Sequence, residues 1–124
     1  MKVFCIIGLG RIGRRTGVLA SALEMNVIGF EKMTVDPDYL NKYDIQQVEL
    51  NELLSKSDFI SLHLPATTET IHMIGKEQFE LMKNTAFIIN TARGQLIVES
   101  DLYNALTNNP VSYTHLRAHE TEAD

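Results

Sequence analysis

Short apolar runs alternate with longer amphipathic ones along most of the chain. "VFCII" (Val3–Ile7) is short, β-branched and closed by glycine, which predicts a buried strand. From Ile12 to about Glu24 the spacing predicts a helix with Val18, Leu19, Ala22 and Leu23 on one face. "VIGF" (Val27–Phe30) predicts a second strand. Residues 32–44 are polar and read as loop, with Asp36-Pro37-Asp38 as a turn. A third, short strand is expected near Ile45–Val48, a short helix over "NELLSKS" and a fourth strand over Asp58–Leu64. Two short helical pieces are expected around Thr70–Ile74 and Lys76–Met82. A fifth strand covers Ala86–Asn90, and "ESDLYNAL" (Glu99–Leu106) starts another helix. Strands alternating with helices imply an α/β fold with a parallel sheet, right-handed crossovers and helices on both faces.

The strongest local motif is Gly8-Leu9-Gly10-Arg11-Ile12-Gly13. A GxGxxG pattern alone is weak, because glycines also mark ordinary turns. Here it follows a predicted strand directly and opens a predicted helix, the context in which it binds a dinucleotide diphosphate. Gly8 allows the tight turn, Gly10 lets the anion approach the backbone, and Gly13 lets helix and strand pack closely. Free amides at the helix start then face the anion. Arg11, Arg14 and Arg15 place cations at a helix N-terminus. That costs roughly 0.3–1 kcal/mol each unless an anion binds there. Arg11, inside the loop, is expected to meet a phosphate, and Arg14 and Arg15 to be solvated.

An acid should follow about 20 residues past such a loop, at the end of the second strand. Glu31 stands there. Its carboxylate would accept the adenosine ribose hydroxyls and repel a 2′-phosphate, which favours NAD over NADP. Lys32, the next residue, is a cation able to tolerate that phosphate. With this site the sheet reads as a doubly wound Rossmann fold of strand order 3-2-1-4-5.

Composition narrows the picture. The 124 residues are 44% apolar and 22% charged, ordinary for a soluble globular domain. A net charge of −5 gives no reason to expect a nucleic-acid partner. No apolar run is long enough to span a bilayer, so no membrane role is expected, and no signal-peptide pattern opens the chain. Cys5 is the only cysteine, which excludes an internal disulfide and a thiolate metal cluster. Inside an apolar run it reads as a buried, inert thiol. No metal is expected.

Together, "GLGRIG", "SDFISLHLPATTET" and "LMKNTAFIINTARGQL" resemble the NAD-binding domain of the D-isomer-specific 2-hydroxyacid dehydrogenases. The likeness runs from about Val3 to Leu106. It implies an NAD-dependent oxidoreductase, cytoplasmic and homodimeric when complete. Such an enzyme moves hydride between the nicotinamide and a small 2-hydroxy or 2-oxo acid; phosphoglycerate is a natural guess. The resemblance implies that Gly8, Gly10, Arg11, Ile12, Gly13 and Glu31 hold the cofactor. His63 and Pro65 would line its adenosine side, Thr70 would lie near its phosphates, and Thr91 and Ala92 beside the nicotinamide ribose. Arg93 would be the catalytic arginine, its planar guanidinium gripping the substrate carboxylate with paired hydrogen bonds. His72 is expected to be structural or exposed. Some relatives of this fold bind NAD as regulatory or co-repressor modules, so a binding-only role is the alternative. The family's catalytic glutamate and histidine come downstream of "ARG", and its substrate domain flanks the segment on both sides. The chain is therefore expected to be the middle of an enzyme, itself inactive.

The chain closes with "PVSYTHLRAHETEAD", where His115, Arg117, His119 and Glu120 look like a catalytic set. Val111–Thr121 reads as one translated frame of a transposon-end adaptor used in sequencing libraries. Pro110 and Asp124 fit its flanking bases. Residues 1–109 are thus expected to be a partial dinucleotide-binding domain and 110–124 a non-native tail. On that reading His119 and Glu120 are not the missing acid–base pair.

Overall fold

Alternate positions of the first strand feed two different cores. In a computed structural model of the chain, residues 1–32, 35–90, 92, 94–108 and 112–115 are described, the last four and residue 108 by backbone alone. Cys5 and Ile7 of β1 (Val3–Ile7) join one cluster, Phe4 and Ile6 the other. Successive strand side chains point to opposite faces, so a strand buried on both sides must be apolar throughout. The helices divide accordingly. α1 (Arg11–Ala22) and α2 (Pro37–Lys42) cover one face, through Ala20 and Leu40. α3 (Leu50–Lys56), α4 (Lys76–Leu81) and α5 (Glu99–Asn108) cover the other, through Leu53, Leu54, Phe79 and Ala105. Each fully buried leucine or isoleucine contributes about 1.5–3 kcal/mol of burial free energy.

The remaining strands are β2 (Asn26–Phe30), β3 (Gln46–Gln47), β4 (Phe59–Leu62), β5 (Phe87–Asn90) and β6 (Ser112–His115). All pair in parallel, in the order β3-β2-β1-β4-β5-β6. The order 3-2-1-4-5 expected from the sequence is present, with β6 beside β5 as a strand beyond it. β6 lies within the segment expected to be a foreign tail. A parallel ladder is made by backbone groups, so an extended segment of any origin can complete the open edge of β5. The end of the native sequence at Asn109, and His119 and Glu120, lie outside the described residues. His115 is in register with Asn90, three strand positions from β1, roughly 14 Å away.

Three local expectations are corrected. The face of α1 carrying Val18, Leu19, Ala22 and Leu23 does not form the core: Leu19 is 59% and Leu23 72% exposed. The helix instead buries Gly13, Gly17 and Ala20, because small residues let its axis approach β1. The stretch at Asp36-Pro37-Asp38 starts a helix rather than making a turn. Asp36 Oδ1 accepts from Asp38 N at 2.9 Å and Pro37 occupies the first turn, an N-cap and proline pairing legible in hindsight. Around Thr70–Ile74 there is a hydrogen-bonded turn, not a helix. It ends with His72 at φ 60° and its amide on Gln95 O at 2.8 Å. Cys5 is fully buried against Ser57 Oγ, as expected, and burial pushes its thiol up to about 12. Among the described residues no helix is long and apolar enough to cross a membrane.

Candidate functional site

Parallel register brings the carboxyl ends of the central strands to one edge. Ile7 is level with Phe30 of β2 and Leu62 of β4, and Leu62 with Asn90 of β5. The chain turns outward to opposite sides of β1, so the sheet's switch point lies between β1 and β4. Ligands of such sheets bind in the crevice outside that point.

The glycine loop sits at its centre. Gly8 has φ 104°, a conformation that disfavours a side chain, and His63 O lies 2.8 Å from where its Cβ would be. At Gly13 a Cβ would fall 2.0 Å from Gly8 O. Gly10 differs. Nothing lies within 4 Å of its Cβ position, so the space in front of the loop is open. Gly10 is also the N-cap of α1, and no side chain caps that helix or places an acid in its first turn. Open space before uncapped amides fits a diphosphate. Arg11 and Ile12 are exposed beside it, and Arg11 makes no ion pair among the described residues. Arg14 is not simply solvated as expected: its guanidinium lies 4.1 Å over the Tyr39 ring, and its Nε is buried without a partner.

Glu31 stands where the sequence put it. Its Oε1 accepts from Leu9 N at 3.0 Å, which ties the end of β2 to the glycine loop. Gln47 Nε2 donates to Glu31 O at 3.2 Å and fixes the backbone there. Lys32 reaches the other way, to Glu69 Oε2 at 3.1 Å.

The β4 loop forms the opposite wall. His63 N donates to Ile7 O at 2.8 Å, continuing the β1–β4 ladder. His63 Nε2 pairs with Ser61 Oγ at 2.7 Å, and burial holds its pKa below the ordinary histidine value. Pro65 O accepts the Thr70 hydroxyl at 2.6 Å, and Thr67 N donates to Thr70 Oγ1 at 2.7 Å. Thr70 thus shapes the loop from within. After β5, the fully buried Asn90 accepts from Ala92 N at 3.1 Å through Oδ1 and starts the next turn. A 3-10 turn, Gly94–Leu96, follows. Thr91 and Arg93 lie outside the described residues; Asn90, Ala92 and Gly94 around them are at the same edge of the sheet as Gly10.

Sequence reading missed Asn90, Ser61 and Glu69. A polar residue closing an apolar strand was a usable signal for Asn90; Glu69 had none, since its partner is 37 residues away. A recess of about 570 Å³ lies at the opposite edge of the sheet, between Val3, Asn26, Asn41 and Lys56. It has no part in this site.

A doubly wound sheet with a glycine loop and an acid closing the second strand defines a dinucleotide-binding domain. The family model described as D-isomer specific 2-hydroxyacid dehydrogenase, NAD binding domain, matches residues 1–123, and the chain belongs to that family. It is 41% identical over 122 residues to a D-3-phosphoglycerate dehydrogenase of Methanocaldococcus jannaschii, covering 98% of this chain and 23% of that one. It is 44% identical over 117 residues to a hydroxypyruvate reductase of Blautia hydrogenotrophica, covering 94% and 36%. Among solved structures, D-lactate dehydrogenase from Aquifex aeolicus complexed with NAD and lactic acid superposes with a TM-score of 0.86 at 36% identity, covering 94% and 34%. The holo form of Rhodotorula graminis D-mandelate dehydrogenase gives 0.89 at 29%, covering 99% and 36%. The chain thus spans roughly a quarter to a third of the length of these relatives.

Proposed function

We propose that this NAD-binding domain serves a D-2-hydroxyacid dehydrogenase. The observation that carries the reading is the open glycine loop with Glu31 hydrogen-bonded into it. When bound, the nicotinamide supplies a hydride acceptor or donor for C2 of a 2-hydroxy or 2-oxo acid. The protein's part is to hold and orient. Gly8, Gly10, Arg11, Ile12 and Gly13 receive the diphosphate, and Glu31 the adenosine ribose. His63 and Pro65 wall the adenosine side, Thr70 sets the loop near the phosphates, and Thr91 and Ala92 flank the nicotinamide ribose. Arg93 grips the substrate carboxylate and polarises the adjacent carbonyl.

We further infer that the complete protein is a cytoplasmic homodimer. The exposed Leu19 and Leu23 of α1 support a partner surface, and the lone, buried Cys5 suits a reducing compartment. Residues 110–124 we take as translated adaptor, supported by the unbroken run Val111–Thr121. Resequencing the gene without that adaptor chemistry should give a different continuation after Asn109; the same fifteen residues would refute it. Nothing among the described residues favours a binding-only role. The test is the complete enzyme, supplied with NAD and paired D and L 2-hydroxy acids, starting with D-3-phosphoglycerate. Absorbance of the reduced nicotinamide should rise with D isomers only. Turnover of L isomers, or of none across the class, would overturn the reading.

A further inference from the structure

Lys32 and Glu69 belong to opposite walls of the crevice. Lys32 follows β2 and Glu69 sits in the loop after β4, with β1 and its glycine loop between them. Two strand spacings, roughly 10 Å, separate those walls. The ion pair at 3.1 Å therefore links the segment after β2 to the segment after β4.

Each end is held by its own local structure. Glu31, next to Lys32, is tied through its side chain to Leu9 and through its carbonyl to Gln47. Glu69 lies in a turn whose residues bond one another: Glu69 N donates to Thr67 Oγ1 at 3.3 Å, and Ile71 N to Thr67 O at 2.9 Å. The pair itself is exposed, at 60% for Lys32 and 70% for Glu69, so it contributes little to stability. Its consequence is the charge it leaves on the rim. Glu31, Lys32 and Glu69 together carry one net negative charge beside the place where the adenosine ribose is held. Without Glu69 that charge is zero and Lys32 is free. Arg14 is no substitute, since Tyr39 holds its guanidinium.

We propose that Glu69 is a specificity-determining residue for the cofactor: by holding Lys32 across the crevice it denies that cation to a 2′-phosphate and keeps the rim acidic. The inference rests on the assignment of Glu31 to the adenosine ribose. Glu31 supplies direct repulsion; Glu69 acts by engaging the neighbouring cation that would otherwise offset it.

The test titrates NAD and NADP into the 124-residue chain and its variants Glu69→Gln and Glu69→Gln/Lys32→Gln, at low and high salt. Glu69→Gln should tighten NADP binding by about fivefold, the scale of one exposed charge pair, and change NAD affinity less than twofold. The gain should shrink in about 0.5 M salt, where exposed charges are screened. Adding Lys32→Gln should abolish it. Equal changes for both cofactors, an unchanged ratio, or a gain that survives the loss of Lys32 would overturn the inference. A chain that binds neither dinucleotide would overturn the site assignment beneath it as well.

Discussion

Replacing Gly13 by alanine is expected to cost about 3 kcal/mol or more of folding stability, at the upper end of overpacking effects. The added Cβ would stand 2.0 Å from Gly8 O, a backbone atom that cannot swing aside. Helix α1 would have to move off β1, taking Gly17 and Ala20 out of their contacts with Ile6 and Ile45. For a domain of this size that is a fall of roughly 10 °C or more in melting temperature. Gly10→Ala is the control. Its Cβ meets nothing, and alanine in place of glycine at an N-cap costs only about 1 kcal/mol or less. Its effect should fall on the dinucleotide, which loses its close approach to the backbone. Thermal melts paired with titration of reduced NAD should therefore separate the two glycines. Equal melting losses would show that Gly10 is structural as well.

Arg93→Lys in the complete enzyme is expected to lower kcat/KM by about two to three orders of magnitude, the usual cost of removing one transition-state donor. An ammonium keeps the charge but cannot make the paired, coplanar contact of a guanidinium with a carboxylate. NAD affinity should stay within about twofold, because Arg93 is assigned to substrate. Steady-state kinetics with a D-2-hydroxy acid, alongside direct NAD titration, gives both numbers. A kcat/KM within about threefold of the unmodified enzyme, or a proportional loss of NAD binding, would remove Arg93 from its role.

The fold was legible because its signals are short-range or strictly periodic. Four of the first five strands are short apolar or β-branched runs, while β3 (Gln46–Gln47) is marked only by Ile45 and Val48 on either side of it, and the glycine loop announced both the strand before it and the helix after it. Helix α1 was found but its buried face was misread. The apolar pattern pointed to Leu19 and Leu23, while close packing selected Gly13 and Gly17, which a hydrophobicity pattern does not weigh. Helix α2 was missed because its six residues include no buried one, so only the Asp36-Pro37 start marked it. The spacing from β1 put Gly8 and Gly10 in the turn after it, Gly13 in the first turn of α1 and Glu31 at the end of β2, and they stand at those places in the fold. The Glu31 bond to Leu9, the Lys32–Glu69 pair and the Thr70 contacts depend on loop shape, which spacing does not encode.

The most direct test of the central claim is titration of the chain with NAD and NADP, compared with its Glu31→Ala variant. Saturable binding that favours NAD is expected, with the preference narrowed in the variant as the ribose acceptor and the repulsion disappear together. No binding of either dinucleotide, or tighter binding of NADP by the unmodified chain, would contradict it.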